Sequence, residues 1–400
     1  MPKLHPDIET FARIKVIGVG GSGKNALNHM ISSKIKGVDF IVMNTDTQDL
    51  HNSLAEKKIH IGKNLTKGLG AGMNPDVGKR AAEETKSEIQ DVIKGSDMIF
   101  IACGMGGGTG TGAAPIVARA AKEQGILTIG VVTKPFSFEG NQRTRLAEAG
   151  IDELSQEVDA IIIIPNDRLL AVASKDTSFK QAFAMSDEVL RQAVEGISDL
   201  ITTPGDINVD FADIRAVLSD AGSALMGVGF GAGEDRARKA ALDAINSPLL
   251  DLSINGAKGV LFAISGGEDL GILEVHEAAN IITESVDKDA KVIYGMVRDE
   301  RLKKGEMKIT VIATGFPTDG PKKSLFSREP VRGEAQVLPL KTREEVAQPT
   351  QDVQPIKKEI HNTSTIDLVK KQEEQESSSD SIDEEDDWSA VPAFLRRPKK

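Results

Sequence analysis

From residue 13 to about residue 200, short apolar runs alternate with stretches of helical period. Runs at 13–19, 38–43, 58–61, 97–103, 126–133 and 158–164 predict strands. Several are unbroken Ile/Val stretches, which predicts cover on both faces. Helices are expected between them. One begins at Asn74-Pro75, a cap followed by proline at the first helical position, and runs towards Lys94. Others cover 112–124 and 139–156. This order predicts an α/β fold with a doubly wound, mostly parallel sheet. A longer helical pattern, 179–201, stops at Thr203-Pro204-Gly205. Asn208-Val209-Asp210-Phe211 then opens another helix. From Gly222 to Phe316 the pattern is mixed again, with strands at 259–265, 291–298 and 307–314 and helices at 235–245 and 271–285. A smaller α+β domain, joined to the first by the long central helix, is expected there.

Beyond Phe316 no period is sustained. Residues 317–386 are rich in Pro, Ser, Gln, Lys and Glu, too polar to offset the entropy of ordering. A disordered tail is expected. From Glu373 to Asp387 it is acidic without a basic residue. Trp388 to Leu395 is a small apolar cluster, followed by Arg396, Arg397, Lys399 and Lys400. The expected organisation is a flexible start (1–10), a nucleotide domain (11–178), a central helix (179–203), a loop and helix (204–220), a C-terminal domain (221–316), a linker (317–386) and a docking peptide (387–400).

Composition narrows the function. The net charge is −11 and aromatics make up 4%, so a nucleic-acid platform is disfavoured. One cysteine, Cys103, excludes an internal disulfide and fits a reducing compartment. The N-terminus has no apolar signal core, and the aliphatic run 160–164 is too short to span a bilayer. A soluble cytoplasmic protein is expected.

Two glycine-rich stretches carry the chemistry. Gly18 to Asn25 reads GVGGSGKN and fits a dinucleotide G-x-G-x-x-G. It also fits a P-loop, except that Asn25 stands where Ser or Thr would ligate Mg²⁺. A plain tight turn is a third reading. In the phosphate readings, glycines expose backbone N–H groups at a helix start, and Lys24 could add a charge. Gly106 to Gly112 reads GGGTGTG and runs from a buried strand into a helix. So glycine-rich a segment is costly to order, and a polyphosphate could accept its N–H groups. Glu139 and Arg143 share one helix face, which by itself reads as an exposed ion pair. Asp210 and Asp213 at a helix start read as capping acids.

GGGTGTG resembles the signature of the tubulin/FtsZ superfamily. Asn44-Thr45-Asp46, Thr133-Lys134-Pro135-Phe136, Phe138-Glu139-Gly140, Ile164-Pro165-Asn166-Asp167, Asn208-Val209-Asp210-Phe211-Ala212-Asp213 and the ending Val391-Pro392-Ala393-Phe394-Leu395-Arg396 are similar to its FtsZ branch. The resemblance covers about residues 10–316 and the last dozen.

It implies a GTP/GDP site. Gly21, Ser22, Gly23, Lys24 and Asn25 would form the first phosphate loop; Gly107, Gly108, Thr109 and Gly110 would form the second. Ser22 and Lys24 depart from the usual glycine run, so Lys24 is left open between phosphate and solvent. Glu139 would take ribose hydroxyls, Arg143 would lie near ribose and phosphates, and Asn166 would add a polar contact. Phe183 would pack on the base. Asp187 would accept from the N1–H and amine of guanine, a pattern that adenine lacks. Mg²⁺ would be held by phosphates and water, without direct protein ligands.

Asn208, Asp210 and Asp213 would form a catalytic loop inserted into the next subunit's pocket. The implied function is a GTPase that polymerises head-to-tail into filaments of the cell-division ring. Val391, Pro392, Phe394, Leu395 and Arg396 would dock on membrane-attached adaptors, with neither nucleic acid nor strong direct membrane binding expected. The rival readings are a nicotinamide-dependent oxidoreductase, with Asp39 or Asp46 on the ribose, and a P-loop ATPase. The first leaves GGGTGTG, the paired acids and the tail unexplained; the second lacks the hydroxyl at Asn25 and a clear Walker B acid after an apolar strand.

Overall fold

A computed structural model describes residues 12–316 apart from 172, 175, 248–253, 268 and 300. The expected flexible start, linker and docking peptide lie outside the described residues.

The chain begins β1 (Ile14–Val19), α1 (Gly20–Ser32), β2 (Val38–Asn44), α2 (Thr47–His51), β3 (Lys57–His60) and α3 (Lys63–Thr66). It continues α4 (Pro75–Glu84), α5 (Lys86–Ile93), β4 (Met98–Gly104), α6 (Thr109–Lys122), β5 (Leu127–Lys134), α7 (Asn141–Ser155), β6 (Ala160–Pro165) and α8 (Asn166–Leu170). Then come α9 (Phe179–Thr202), β7 (Gly205–Ile207), α10 (Phe211–Leu218), β8 (Gly222–Ala232) and α11 (Arg236–Ile245). The last elements are β9 (Gly259–Gly266), α12 (Ile272–Glu284), β10 (Lys291–Arg298) and β11 (Glu306–Thr314).

All strands join one sheet of order β3-β2-β1-β4-β5-β6-β8-β11-β9-β10-β7. The first six are parallel, and the order reverses direction between β1 and β4, with Gly18 opposite Ala102. β6 passes to β8 through three residue pairs, Ala160 to Ile162 against Gly222 to Ala224. β11 is antiparallel to both β8 and β9. The unbroken apolar runs behave as expected: all six residues of β1 are buried.

One core cluster lies between the sheet and α9, which contributes Val189, Leu190, Ala193, Val194, Ile197 and Leu200. The same cluster includes Leu261 and Ile312 from the later strands, so α9 packs against both parts of the sheet. Each such Val, Leu or Ile contributes roughly 1.5–3 kcal/mol of gross burial energy. A second cluster lies on the opposite face, with Ala113, Val117 and Ala121 of α6 beside Ile99 and Ile101 of β4. α9 starts with a capping box. The Ser178 hydroxyl accepts from Gln181 N–H, and Gln181 Oε1 accepts from Ser178 N–H at 2.7 Å.

α9 also buries charge. Arg191 is held by Glu188 at 2.6 Å and Glu195 at 2.7 Å. Glu195 meets Arg301 at 2.6 Å and Lys308 of β11 at 3.1 Å. Glu188 meets His29 of α1 at 2.8 Å. Burial opposes ionisation of Glu195, but Lys308, Arg191 and Arg301 outweigh it and hold its carboxyl well below the usual range.

Several elements differ from expectation. The helix expected from residue 74 towards 94 is two helices, broken at Thr85, whose hydroxyl donates to Ala81 O and accepts from Gly62 N–H. The helix expected at 139 begins at Asn141, because Ser137–Glu139 forms a 3₁₀ turn and Gly140 takes φ 99°. Gly18 to Asn25 is mostly not a loop, since α1 starts at Gly20. β8 was not expected. Its Gly227, Gly229 and Gly231 all face α11, where an added Cβ would stand 1.9–2.0 Å from the carbonyl oxygens of Ala244, Ala240 and Arg236.

Candidate functional site

Both glycine stretches end strands that are neighbours in the sheet. β1 runs straight into α1 and β4 runs through Met105–Gly108 into α6, so two helix N-termini open side by side at the carboxyl ends of the strands. The reversal of strand order lies between them, where open α/β sheets bind ligands. Each N-terminus leaves backbone N–H groups without intrahelical acceptors, and the paired dipoles favour an anion.

The glycines divide by task. A Cβ on Gly23 would meet Ala102 O at 2.4 Å, and one on Gly112 would meet Pro75 O at 1.9 Å. These positions let helices lie against β4 and α4. Gly107, by contrast, has nothing within 4 Å of an added Cβ, and Gly21 has only Asp49 Oδ2 at 3.4 Å. Gly21, Ser22 and Asn25 are exposed, while Gly23, Gly108 and Gly110 are buried. The expectation of a long glycine loop is thus corrected: Thr109 to Gly112, most of GGGTGTG, belongs to α6. The threonine hydroxyls already have partners. Thr109 pairs with Thr45 at 2.6 Å, and Thr111 accepts from Gly106 N–H at 2.9 Å.

Lys24 does not point to solvent, the second of the two positions left open for it. Its side chain is 11% exposed, and Nζ lies 2.6 Å from Asp49 Oδ1. Asp49 also accepts from Asn44 Nδ2 at 2.7 Å.

Around the paired N-termini stand the remaining residues. Glu139 accepts from Phe136 N–H at 3.0 Å and pairs with Arg143 at 2.8 Å. Arg143 lies over the second loop, since a Cβ on Gly106 would meet its Cγ at 2.7 Å. Asn166 is buried at the start of α8 and accepts from Ser186 of α9 at 2.9 Å. Phe183 is 36% exposed, 5.2 Å edge-to-face from Phe136 and 5.0 Å from Phe179. One turn on, Asp187 is half-buried and accepts no hydrogen bond from the other described residues. Burial raises its carboxyl to about 7, against the charges of His29 and Lys24, which lower it. A half-buried carboxylate one turn from an exposed aromatic ring fits a flat base presenting two donors.

Asn208, Asp210 and Asp213 are elsewhere. All three are exposed. Val209 and Leu200, at the far end of α9, both lie within 3.0 Å of a Cβ built on Gly295. From Asp187 to Leu200 the helix rises about 20 Å. Asp210 makes no side-chain capping bond, so the capping explanation for it is corrected. Asn208 Oδ1 accepts from Gly205 N–H at 2.8 Å and fixes the turn.

Sequence reasoning missed Asp49 as part of the site, although its spacing from the α2 cap Asp46 places it there. It also missed the aromatic group of Phe136, Phe138 and Phe179 around Phe183. Among the described residues no group of three His, Cys, Asp or Glu side chains could hold a metal ion. Nor is any helix among them long and apolar enough to cross a membrane.

Residues 13–174 match the family model described as Tubulin/FtsZ family, GTPase domain, and residues 222–317 match FtsZ family, C-terminal domain. Among solved structures, an empty FtsZ dimer from M. jannaschii is similar with 44% identity and a TM-score of 0.74, covering 77% of this chain and 89% of that one. A point mutant of FtsZ from M. jannaschii gives 44% and 0.74 over 77% of this chain and 92% of that one. CetZ2 from Haloferax volcanii, a GTPγS-bound protofilament, shares the fold at 22% identity and a TM-score of 0.65, over 76% of this chain and 94% of that one.

Proposed function

This chain belongs to the tubulin/FtsZ family, and on that footing we propose that it is a GTPase whose reaction centre is completed only when two copies stack head-to-tail. It is a GTP-dependent, polymerising, tubulin-like protein and not an oxidoreductase. The observation that carries the finer reading is the separation of its two half-sites by about 20 Å of α9.

In this reading the N–H groups at the starts of α1 and α6 bind the phosphates, with Gly21 and Gly107 giving closest approach. Glu139 and Arg143 hold the ribose end. Asn166, Phe183 and Asp187 hold the base, and Asp187 selects guanine over adenine, because the wrong base leaves buried groups unpaired. Asn208, Asp210 and Asp213 of the adjoining copy align the attacking water and take up its developing positive charge. Phosphoryl transfer needs little covalent help but does need alignment. Mg²⁺ would neutralise phosphate charge, held mainly by phosphate oxygens and water. A head-to-tail contact that does not close on itself extends into a filament.

The domain boundaries expected from the sequence are part of this proposal, with 11–178 as the nucleotide half and 204–220 as the loop that reaches the neighbour. So is a role at the division site, with Val391, Pro392, Phe394, Leu395 and Arg396 docking on membrane-attached adaptors.

The test mixes two variants. Asp213→Ala is expected to bind GTP like the parent and hydrolyse it on the order of 100-fold more slowly. Asp187→Ala is expected to lose GTP binding. An equimolar mixture should regain hydrolysis, since one variant supplies the pocket and the other the acids. A mixture as inactive as its parts, or loss of GTP affinity in Asp213→Ala, contradicts the proposal.

A further inference from the structure

Lys24 lies one turn into α1, four residues beyond Gly20. Its ammonium is 2.6 Å from Asp49 Oδ1, a charge-assisted distance, with 11% and 27% of the two side chains exposed. The other oxygen of Asp49 accepts from Asn44 Nδ2 at 2.7 Å. The same oxygen lies 3.4 Å from where a Cβ on Gly21 would stand. Asp49 is also fixed through its main chain, because its N–H donates to Asp46 Oδ1 at 3.0 Å. A carboxylate is therefore clamped against the first turn of the helix that receives the phosphates.

Such a carboxylate opposes an anion. Its field acts at short range in a partly desolvated place, where screening by water is weak. Lys24 cancels that charge. It is poorly placed to leave, since reaching a phosphate would strand the half-buried carboxylate without its cation. We infer that Lys24 is the counter-ion of Asp49, a positioning residue of the first phosphate loop and not a phosphate ligand. Its departure from the loop's usual glycine is matched by the acid at Asp49, and the two act as one neutral unit.

This inference rests on the reading of the paired N-termini as a phosphate site. It has a consequence that a merely structural pair would not have. Removing Lys24 leaves a bare negative charge, which penalises GTP more than GDP because GTP carries one more negative charge. Removing the Asp49 charge as well should cancel the penalty.

The experiment measures GTP and GDP affinity with Mg²⁺ for the full chain, Lys24→Met, Asp49→Asn and the double variant, with thermal unfolding of each. Lys24→Met is expected to weaken GTP on the order of tenfold and GDP less. Asp49→Asn should bind GTP at least as tightly as the parent. The double variant should return to within about threefold of the parent. Lys24→Gln stands in if the methionine variant does not fold. A double variant as weak as Lys24→Met would mean that Lys24 grips phosphate directly and would overturn the inference. So would equal losses for GTP and GDP, or four equal affinities. Failure of the parent itself to bind GTP would instead overturn the phosphate-site reading, and this inference with it.

Discussion

Asp187 is placed where a carboxylate gains from a ligand. It is half-buried and accepts no hydrogen bond from the other described residues, and burial raises it to about 7. Only its charged form can accept both guanine donors. GTP binding should therefore release a proton below that pKa. Affinity is expected to tighten by about tenfold per pH unit up to about pH 7 and then level off. Titration of GTP affinity from pH 5.5 to 8 measures this, and Asp187→Asn should bind weakly and without the slope. A flat profile for the parent would separate Asp187 from the base. The sign for stability is the reverse: the raised folded pKa contributes stability at low pH that is lost as pH rises through about 7. Asp187, Glu139 and Phe183 were singled out because the resemblance names positions, and their roles belong to the proposal. The pairing of Lys24 with Asp49 was not legible, because two residues 25 apart in sequence carry no local sign of contact.

The strands and helices were legible where burial writes a pattern. β10 was expected at 291–298 and spans Lys291–Arg298, and α9 was expected at 179–201 and spans Phe179–Thr202. β8 was missed because its alternation is of glycine with larger residues, set by α11 lying on the bare face, and not of apolar with polar. The break at Thr85 was missed because it depends on hydrogen bonds to Ala81 and to the distant Gly62. α9 has one more property that no period reveals, its buried ion pairs. Removing Glu195 would leave buried Lys308 without its ion-pair partner, while Arg191 keeps Glu188 and Arg301 keeps Asp299. Glu195→Leu should strip Arg191, Arg301 and Lys308 of a shared partner. The expected loss is about 3–5 kcal/mol, read by denaturant unfolding. A loss under about 1 kcal/mol would show that these charges rearrange freely.

Across the whole molecule, α9 sets the spacing between the proposed pocket and the proposed acids. Its N-terminal half carries Phe183 and Asp187, and its C-terminal end leads into the turn before Asn208, Asp210 and Asp213. The helix is packed against both parts of the sheet, so Asp187 and Asp210 cannot approach each other within one copy without dismantling the core. The two parts share one sheet among the described residues, and the link between them, β6 to β8, is only three residue pairs long.

The central claim is that one copy holds half a reaction centre. GTP turnover per molecule, followed by phosphate release over a wide range of protein concentration, tests it most directly. The expected result is near silence at high dilution, then a steep rise above a threshold at which light scattering also rises. Turnover per molecule that stays constant down to concentrations where only single copies exist would contradict the account.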